Sequence, residues 1–200
     1  MSGLTRGSLE HAITRVLATL ETDHGRLNEL DGQLGDGDLG ITLIKAFRAL
    51  DGLRETLPED LGQAFLQCAQ AVVKVSSSSF GTLLATSLMT SAKTFKGRTE
   101  ADWSELPGLL HAVVEALMAR GKASLGDKTV LDPLSAAATA AEAADAPGPM
   151  LDAARAAIDA TLAEYRDKPN KIGRARIFAE KSVGMDDPGM VALKFMAGAL

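Results

Sequence analysis

A single cysteine, Cys68, is all that the chain contains, so no disulfide can form within it and a reducing cytoplasm is the expected setting. Cys68 stands in an apolar helical stretch, which predicts a buried structural thiol rather than a nucleophile. Aromatic residues are scarce, at 4%, while apolar content reaches 46% with Ala and Leu prominent, a composition suited to helices rather than sheets. No apolar run reaches the roughly 18 residues needed to span a bilayer, and the N-terminus lacks a cationic start followed by a continuous apolar stretch. No membrane association is therefore expected, and the chain reads as soluble and cytoplasmic. Positive charge is also in deficit: the formal net charge is −5, which gives no reason to expect nucleic acid, whose binders are basic on at least one face. Sustained alternation typical of half-buried strands is missing, as are internal repeats. The 200 residues suit one domain, 1–200.

Familiar phosphate and metal motifs are missing too. No G-x-x-x-x-G-K-[ST] occurs, which excludes a P-loop. Gly35, Gly37 and Gly40 spell G-x-G-x-x-G, but the preceding residues are helical in pattern and two intervening residues are acidic. A dinucleotide fingerprint needs a strand before it and bare amides facing a pyrophosphate, so the match is accidental. A calcium-binding EF-hand loop begun at Asp36 would place Phe47 where a bidentate Glu belongs.

What is present is Leu30-Asp31-Gly32-Gln33-Leu34-Gly35-Asp36-Gly37-Asp38-Leu39-Gly40, with three carboxylates among four glycines. Carboxylate oxygens are preferred ligands of Mg²⁺, and glycines permit turns that could aim Asp31, Asp36 and Asp38 at one spot. The same stretch also reads as a solvated, acidic helix–helix turn. On either side, apolar residues at three- and four-residue spacing predict helices over Ser8–Leu30 and Gly40–Leu50. The second helix begins directly behind Asp36 and Asp38, where free amides and the positive dipole end would suit phosphate. His24 on the first helix is expected at the surface.

A third helix is expected from near Pro58 through Val73. It runs into Ser76-Ser77-Ser78-Ser79-Phe80-Gly81-Thr82 and a fourth helix over Phe80–Phe95. The serines read either as caps or as a hydroxyl- and amide-rich cradle for phosphate oxygens. Further helices are predicted over Ser104–Gly121, stopped by Gly121, and over Pro133–Ala144, broken by Pro147-Gly148-Pro149. Met150–Tyr165 and Met190–Leu200 complete seven or eight helices joined by short loops. Arg166 to Lys181 is locally basic, a solvated surface or a place for phosphate or an acidic partner.

Four separated pieces now line up: the Asp stretch, the serine turn, Gly126-Asp127-Lys128-Thr129, and Gly173-Arg174-Ala175 followed by Asp187-Pro188-Gly189. In this order, and over nearly the whole chain, they resemble the nucleotide-binding L subunit of dihydroxyacetone kinases. The resemblance implies an all-α fold, an antiparallel up-and-down eight-helix barrel, with ATP or ADP held at one end by two Mg²⁺. Asp31, Asp36 and Asp38 match the metal-binding aspartates, and Ser78 and Ser79 match the phosphate-binding turn. Gly126 and Thr129, with Asp187, Pro188 and Gly189, match the loops that close over the nucleotide. Arg174 matches an arginine near the phosphates that could stabilise transferred charge as a catalytic residue. Two positions depart from the family pattern, which usually has His after the last Asp and Asn three residues further on; here stand Leu39 and Thr42. Thr42 could still donate to phosphate, whereas Leu39 cannot. Ser76 and Ser77 stand where glycines are common. The function implied is a kinase subunit that presents its nucleotide to a short ketose, dihydroxyacetone or a relative such as a tetrulose, held on a separate K-type subunit. The phosphoryl donor is either exchanging ATP or a phosphotransferase-system protein that recharges bound ADP, and the expected assembly is a homodimer. Two other readings compete: a lipid-binding carrier with an Ala/Leu-lined interior, and a regulatory module without catalysis.

Overall fold

The computed structural model describes residues 3–200. Its first helix, α1, spans Arg6–Leu34 and opens on a reciprocal cap: Thr5 Oγ1 accepts from the Ser8 amide and Ser8 Oγ accepts from the Thr5 amide. Ile13, Val16, Leu20, Leu27 and Leu34 form its buried stripe. The helix runs four residues past the expected stop at Leu30. Burial of Leu34 holds the added turn, and one Gly inside a helix costs only about 1 kcal/mol. Asp31 therefore lies on a helix rather than in a loop.

Seven more α-helices follow among the described residues: α2 (Leu39–Asp51), α3 (Leu61–Val75), α4 (Ser79–Thr94), α5 (Leu106–Gly121), α6 (Leu131–Ala141), α7 (Pro147–Tyr165) and α8 (Pro188–Ala199). Local chemistry explains where the expected limits move. Pro58 stays outside α3 because Asp60 caps it, accepting from the Gln63 amide at 2.8 Å. The Pro147-Gly148-Pro149 break is the first turn of α7, where a missing amide donor costs nothing. Gly121 is the last residue of α5, and the left-handed stop falls on Lys122 (φ 51°). One short ladder escaped the sequence pattern: Leu4–Thr5 pairs antiparallel with Glu100–Ala101. Two residues are too few to show alternation.

Each helix packs against its neighbours in sequence, and α8 returns to pack on α1, which closes the ring as an up-and-down barrel. The core comprises one large cluster around Leu20, Leu27, Leu43 and Val72 and a second around Leu61, Phe95, Leu117 and Leu131. Cys68 is fully buried, and burial pushes its thiol up to about 12, as expected of a packing residue. Among the described residues, no helix is long and apolar enough to cross a membrane. An up-and-down ring also decides where a site can form. The α1–α2, α3–α4, α5–α6 and α7–α8 connections all emerge at the same end, and these are the connections carrying the four pieces singled out above.

Candidate functional site

Where α1 ends and α2 begins, two side chains one turn apart organise the chain. Asp31 Oδ2 accepts from the amides of Asp38 (2.9 Å) and Leu39 (3.2 Å), and Asn28 Oδ1 accepts from Gly40 (2.8 Å) and Ile41 (3.2 Å). The first-turn amides of α2 are thereby satisfied within the protein, so they are not the phosphate donors that a bare helix start would offer. This corrects the expectation for Gly40. Gly37 (φ +75°) supplies the left-handed turn between Asp36 and Asp38.

The result is a tight cluster: carboxylate oxygens of Asp31, Asp36 and Asp38 all lie within 4.8 Å of one another. Hard oxygen donors at that separation suit Mg²⁺, which takes a few carboxylates and completes its shell with water or phosphate oxygens. The donor set fits the ion. Asp36 is ion-paired with Arg174, so the α7–α8 connection supplies positive charge at the cluster. Gly173, in a left-handed conformation (φ +72°), turns the chain immediately before that arginine.

These groups line one side of a cleft of about 200 Å³. The serine turn forms the next wall. Ser78 caps α4 by accepting from the Gly81 amide at 3.0 Å, and its hydroxyl lies 3.2 Å from that of Ser76. The capping reading is thus satisfied, while Ser78 and Ser79 also line the cleft. Leu34, Leu39, Phe80, Leu83 and Val130 give the cleft an apolar side. Acids and hydroxyls facing an apolar wall suit a ligand with one polar end and one apolar end.

The α5–α6 turn is built by Asp132, which the sequence reading passed over. Its buried carboxylate accepts from Gly126 (2.6 Å) and Thr129 (2.7 Å). Thr129 lines the cleft, but Gly126 and Thr42 do not. The Gly126 amide is spent on Asp132, and Thr42 is buried on α2 with its amide bonded to Asp38. His24 is half-buried, its Nδ1 3.1 Å from the Leu20 carbonyl, and lies outside the cleft.

Asp187, Pro188 and Gly189 close the cleft from α8. Asp187 caps that helix through Met190 (3.0 Å) and accepts from Asn170 Nδ2 (2.9 Å). Burial pushes its carboxyl up to about 6, although the bonds from Met190, Asn170 and Gly189 and the charge of Lys128 pull the other way. A carboxyl with this shift binds its proton more tightly when folded. Its stabilising contribution is therefore complete below about pH 4, the unfolded value, and is lost as pH rises through about 6. Asp187→Asn keeps a capping residue without the charge. The stability of the wild type relative to this variant is expected to fall by about 2 kcal/mol between these two pH values, the half-burial of the residue being allowed for. Urea unfolding at stepped pH checks this; parallel curves would mean that the carboxyl titrates normally.

Lys128 and Asn170 are two further residues that sequence reasoning missed. Both are buried and link the α5–α6 turn to the α7–α8 connection. The only local signal was the presence of Lys128 inside the Gly-Asp-Lys-Thr turn.

A closed helical ring with a carboxylate cluster, a capped hydroxyl turn and an arginine on one cleft defines a class, a helical barrel with a ligand site at one end. The chain belongs to the DAK2 domain family, which matches residues 33–200. A Listeria innocua protein named PEP-dependent dihydroxyacetone kinase 2, ADP-binding subunit DhaL, is 28% identical over 185 residues, covering 90% of this chain and 86% of its own. Triokinase/FMN cyclase from Mus musculus is 29% identical over 197 residues, covering 95% of this chain and 34% of its own. The crystal structure of the dihydroxyacetone kinase of C. freundii in complex with AMP-PNP and Mg²⁺ aligns at a TM-score of 0.74 and 25% identity, covering all of this chain and 34% of that one. Its native form aligns at 0.76 and 26%. The chain thus spans about a third of the length of the triokinases and of the C. freundii enzyme. Both the resemblance drawn from the sequence and the all-α barrel are borne out.

Proposed function

We propose that this chain, as one domain over 1–200, is the nucleotide-binding subunit of a short-ketose kinase. It would hold Mg²⁺-bound ATP or ADP for phosphoryl transfer to a sugar carried on a separate K-type subunit. The observation that carries this reading is the convergence of Asp31, Asp36 and Asp38 beside the serine turn and an apolar wall on one cleft. Relatives named as kinases, one of them an ADP-binding subunit, support it.

In this reading the three aspartates hold Mg²⁺, two ions by the family pattern, and Ser78, Ser79 and Thr129 contact phosphate or nucleotide. Bound Mg²⁺ supplies neutralisation of phosphate charge. Phosphoryl transfer asks the protein chiefly for positioning and charge stabilisation, and Arg174, already drawn to the cluster, provides positive charge. Leu34, Leu39 and Phe80 offer a face for the base and exclude water from it. Asp187, Pro188 and Gly189 close the nucleotide end. The expected setting is the cytoplasm, and the expected partners are the K-type subunit and a second copy of the chain.

Calorimetric titration with ATP and ADP, in Mg²⁺ and in EDTA, tests the reading. Mg²⁺-dependent binding is expected. ADP retained through purification and exchanging slowly would favour recharging by a phosphotransferase-system protein over ATP exchange. Failure to bind either nucleotide would overturn the kinase reading in favour of a lipid-binding or regulatory module.

A further inference from the structure

The connection between α7 and α8 is largely exposed over Arg174–Ser182. Within Arg174–Ser182, only Ala175 and Ser182 are buried, and Ile177 is 79% exposed. Apolar packing therefore does little to hold this segment in place, yet it carries Arg174 to Asp36. What closes it is polar and lies at its neck. The Gly184 amide donates to the Arg166 carbonyl (2.8 Å), and Arg166 Nε donates back to the Gly184 carbonyl (3.1 Å). Between these two feet sits the ammonium of Lys128. It donates to the carbonyls of Arg166 (3.0 Å), Lys168 (2.7 Å) and Ser182 (2.9 Å), two on one foot and one on the other.

Lys128 is 1% exposed, and its backbone is in the left-handed region (φ 59°), where glycine or asparagine would sit more easily. A non-glycine residue there is a cost set against what its side chain does. An ammonium has three donors in a tetrahedral arrangement and no acceptor, matching three converging carbonyls; a planar guanidinium does not match them. The Lys128 carbonyl in turn accepts from Asn170 Nδ2 (2.7 Å), which also donates to Asp187 at the cleft. The Asp127 carbonyl accepts from the Lys171 amide (3.1 Å).

We propose that Lys128 is a positioning residue. Its ammonium ties the two feet of the 166–184 loop together and so holds Arg174 over the aspartate cluster. It touches no ligand itself. The link to nucleotide rests on the function proposed above; the clamp does not. Removing the ammonium leaves three inward carbonyls without their donor and loosens the neck, which retains the Arg166–Gly184 pair and the bond from the Asn170 amide to Ser182 Oγ (2.9 Å), while the helices keep their own packing.

The test uses the whole chain carrying Lys128→Met, Lys128→Arg, Arg174→Ala, and Lys128→Met with Arg174→Ala. Hydrogen exchange is expected to accelerate about 100-fold over 166–184 in Lys128→Met, with the helices little changed, as in local opening. Lys128→Arg, retaining charge but not geometry, loosens the loop as well. Mg²⁺–ADP affinity is expected to fall about tenfold in Lys128→Met and in Arg174→Ala, and no further in the double variant, because both act through one group. Lys128→Gln, which keeps two donors, gives an intermediate exchange rate and serves if the Met variant does not fold. Unchanged loop exchange would overturn the clamp. A loosened loop with fully additive affinity losses would overturn the positioning of Arg174 and leave a structural role. If the wild type binds no Mg²⁺–ADP, the nucleotide reading fails and the exchange result alone decides the clamp.

Discussion

Asp31→Ala is expected to weaken Mg²⁺–nucleotide binding about 100-fold and to loosen the start of α2, whereas Asp36→Ala weakens binding as much with little change in stability. The two aspartates share one cluster but differ in what else they hold. Asp31 Oδ2 accepts from two amides, those of Asp38 and Leu39, so its loss orphans the first donors of α2 as well as removing a charge. Loss of such a cap costs about 1–2 kcal/mol. Asp36 is exposed and its partner is Arg174, also exposed, an ion pair that contributes little to folding. For binding the two converge. Without one carboxylate, the protein would hold the cation through fewer charged ligands, and affinity for Mg²⁺–nucleotide is expected to fall by about two orders of magnitude, equivalent to about 2.7 kcal/mol. Calorimetry with Mg²⁺–ADP measures the first effect and thermal unfolding without ligand measures the second. Retention of Mg²⁺–ADP affinity in either variant would remove the aspartates from the metal site. Equal stability of the two variants would contradict the capping role of Asp31.

Gly40→Ala is expected to destabilise the protein by about 2–4 kcal/mol, while Gly25→Ala stabilises it by about 0.5–1 kcal/mol. Both glycines lie in helices, where replacement by alanine normally helps because it narrows the unfolded ensemble. At Gly25, a Cβ would meet nothing within 4 Å. At Gly40, it would run into the backbone carbonyl of His24 and approach Asn28 Oδ1 at 2.8 Å. A carbonyl inside α1 cannot retreat unless the helix moves, and Asn28 Oδ1 is already engaged with the Gly40 and Ile41 amides. The substitution would therefore separate α1 from α2 at the point where the aspartate cluster is assembled. Urea denaturation of the two variants gives the comparison directly. A stabilised Gly40→Ala would mean that the helices do not approach as closely as described.

The succession of helices was legible in the sequence because its signals are local. Apolar spacing marked the stripe of α1, the serine run marked the start of α4, and Gly121 and Pro147 marked ends and starts to within a few residues. The four motif-bearing connections could be recognised for the same reason, since each is a short run of chemistry-bearing residues. That they gather at one end of an up-and-down barrel was implied only by the family resemblance.

Other features were decided by partners that only folding brings together, some a turn or two away and some distant in the chain. Burial of Leu34 carried α1 past Leu30 and put Asp31 on a helix. Asn28 and Asp31 consumed the α2 amides that a helix start would otherwise offer to phosphate. Asp132 took the Gly126 amide, and burial on α2 kept Thr42 away from the cleft. The Lys128 ammonium reached carbonyls 38, 40 and 54 residues away in the chain, at Arg166, Lys168 and Ser182. Local propensity thus determined what the elements are and roughly where they begin. Whether a given amide, hydroxyl or ammonium faces the cleft or is already bonded depends on groups that folding brings within about 3 Å, and neighbouring residues carry no sign of that.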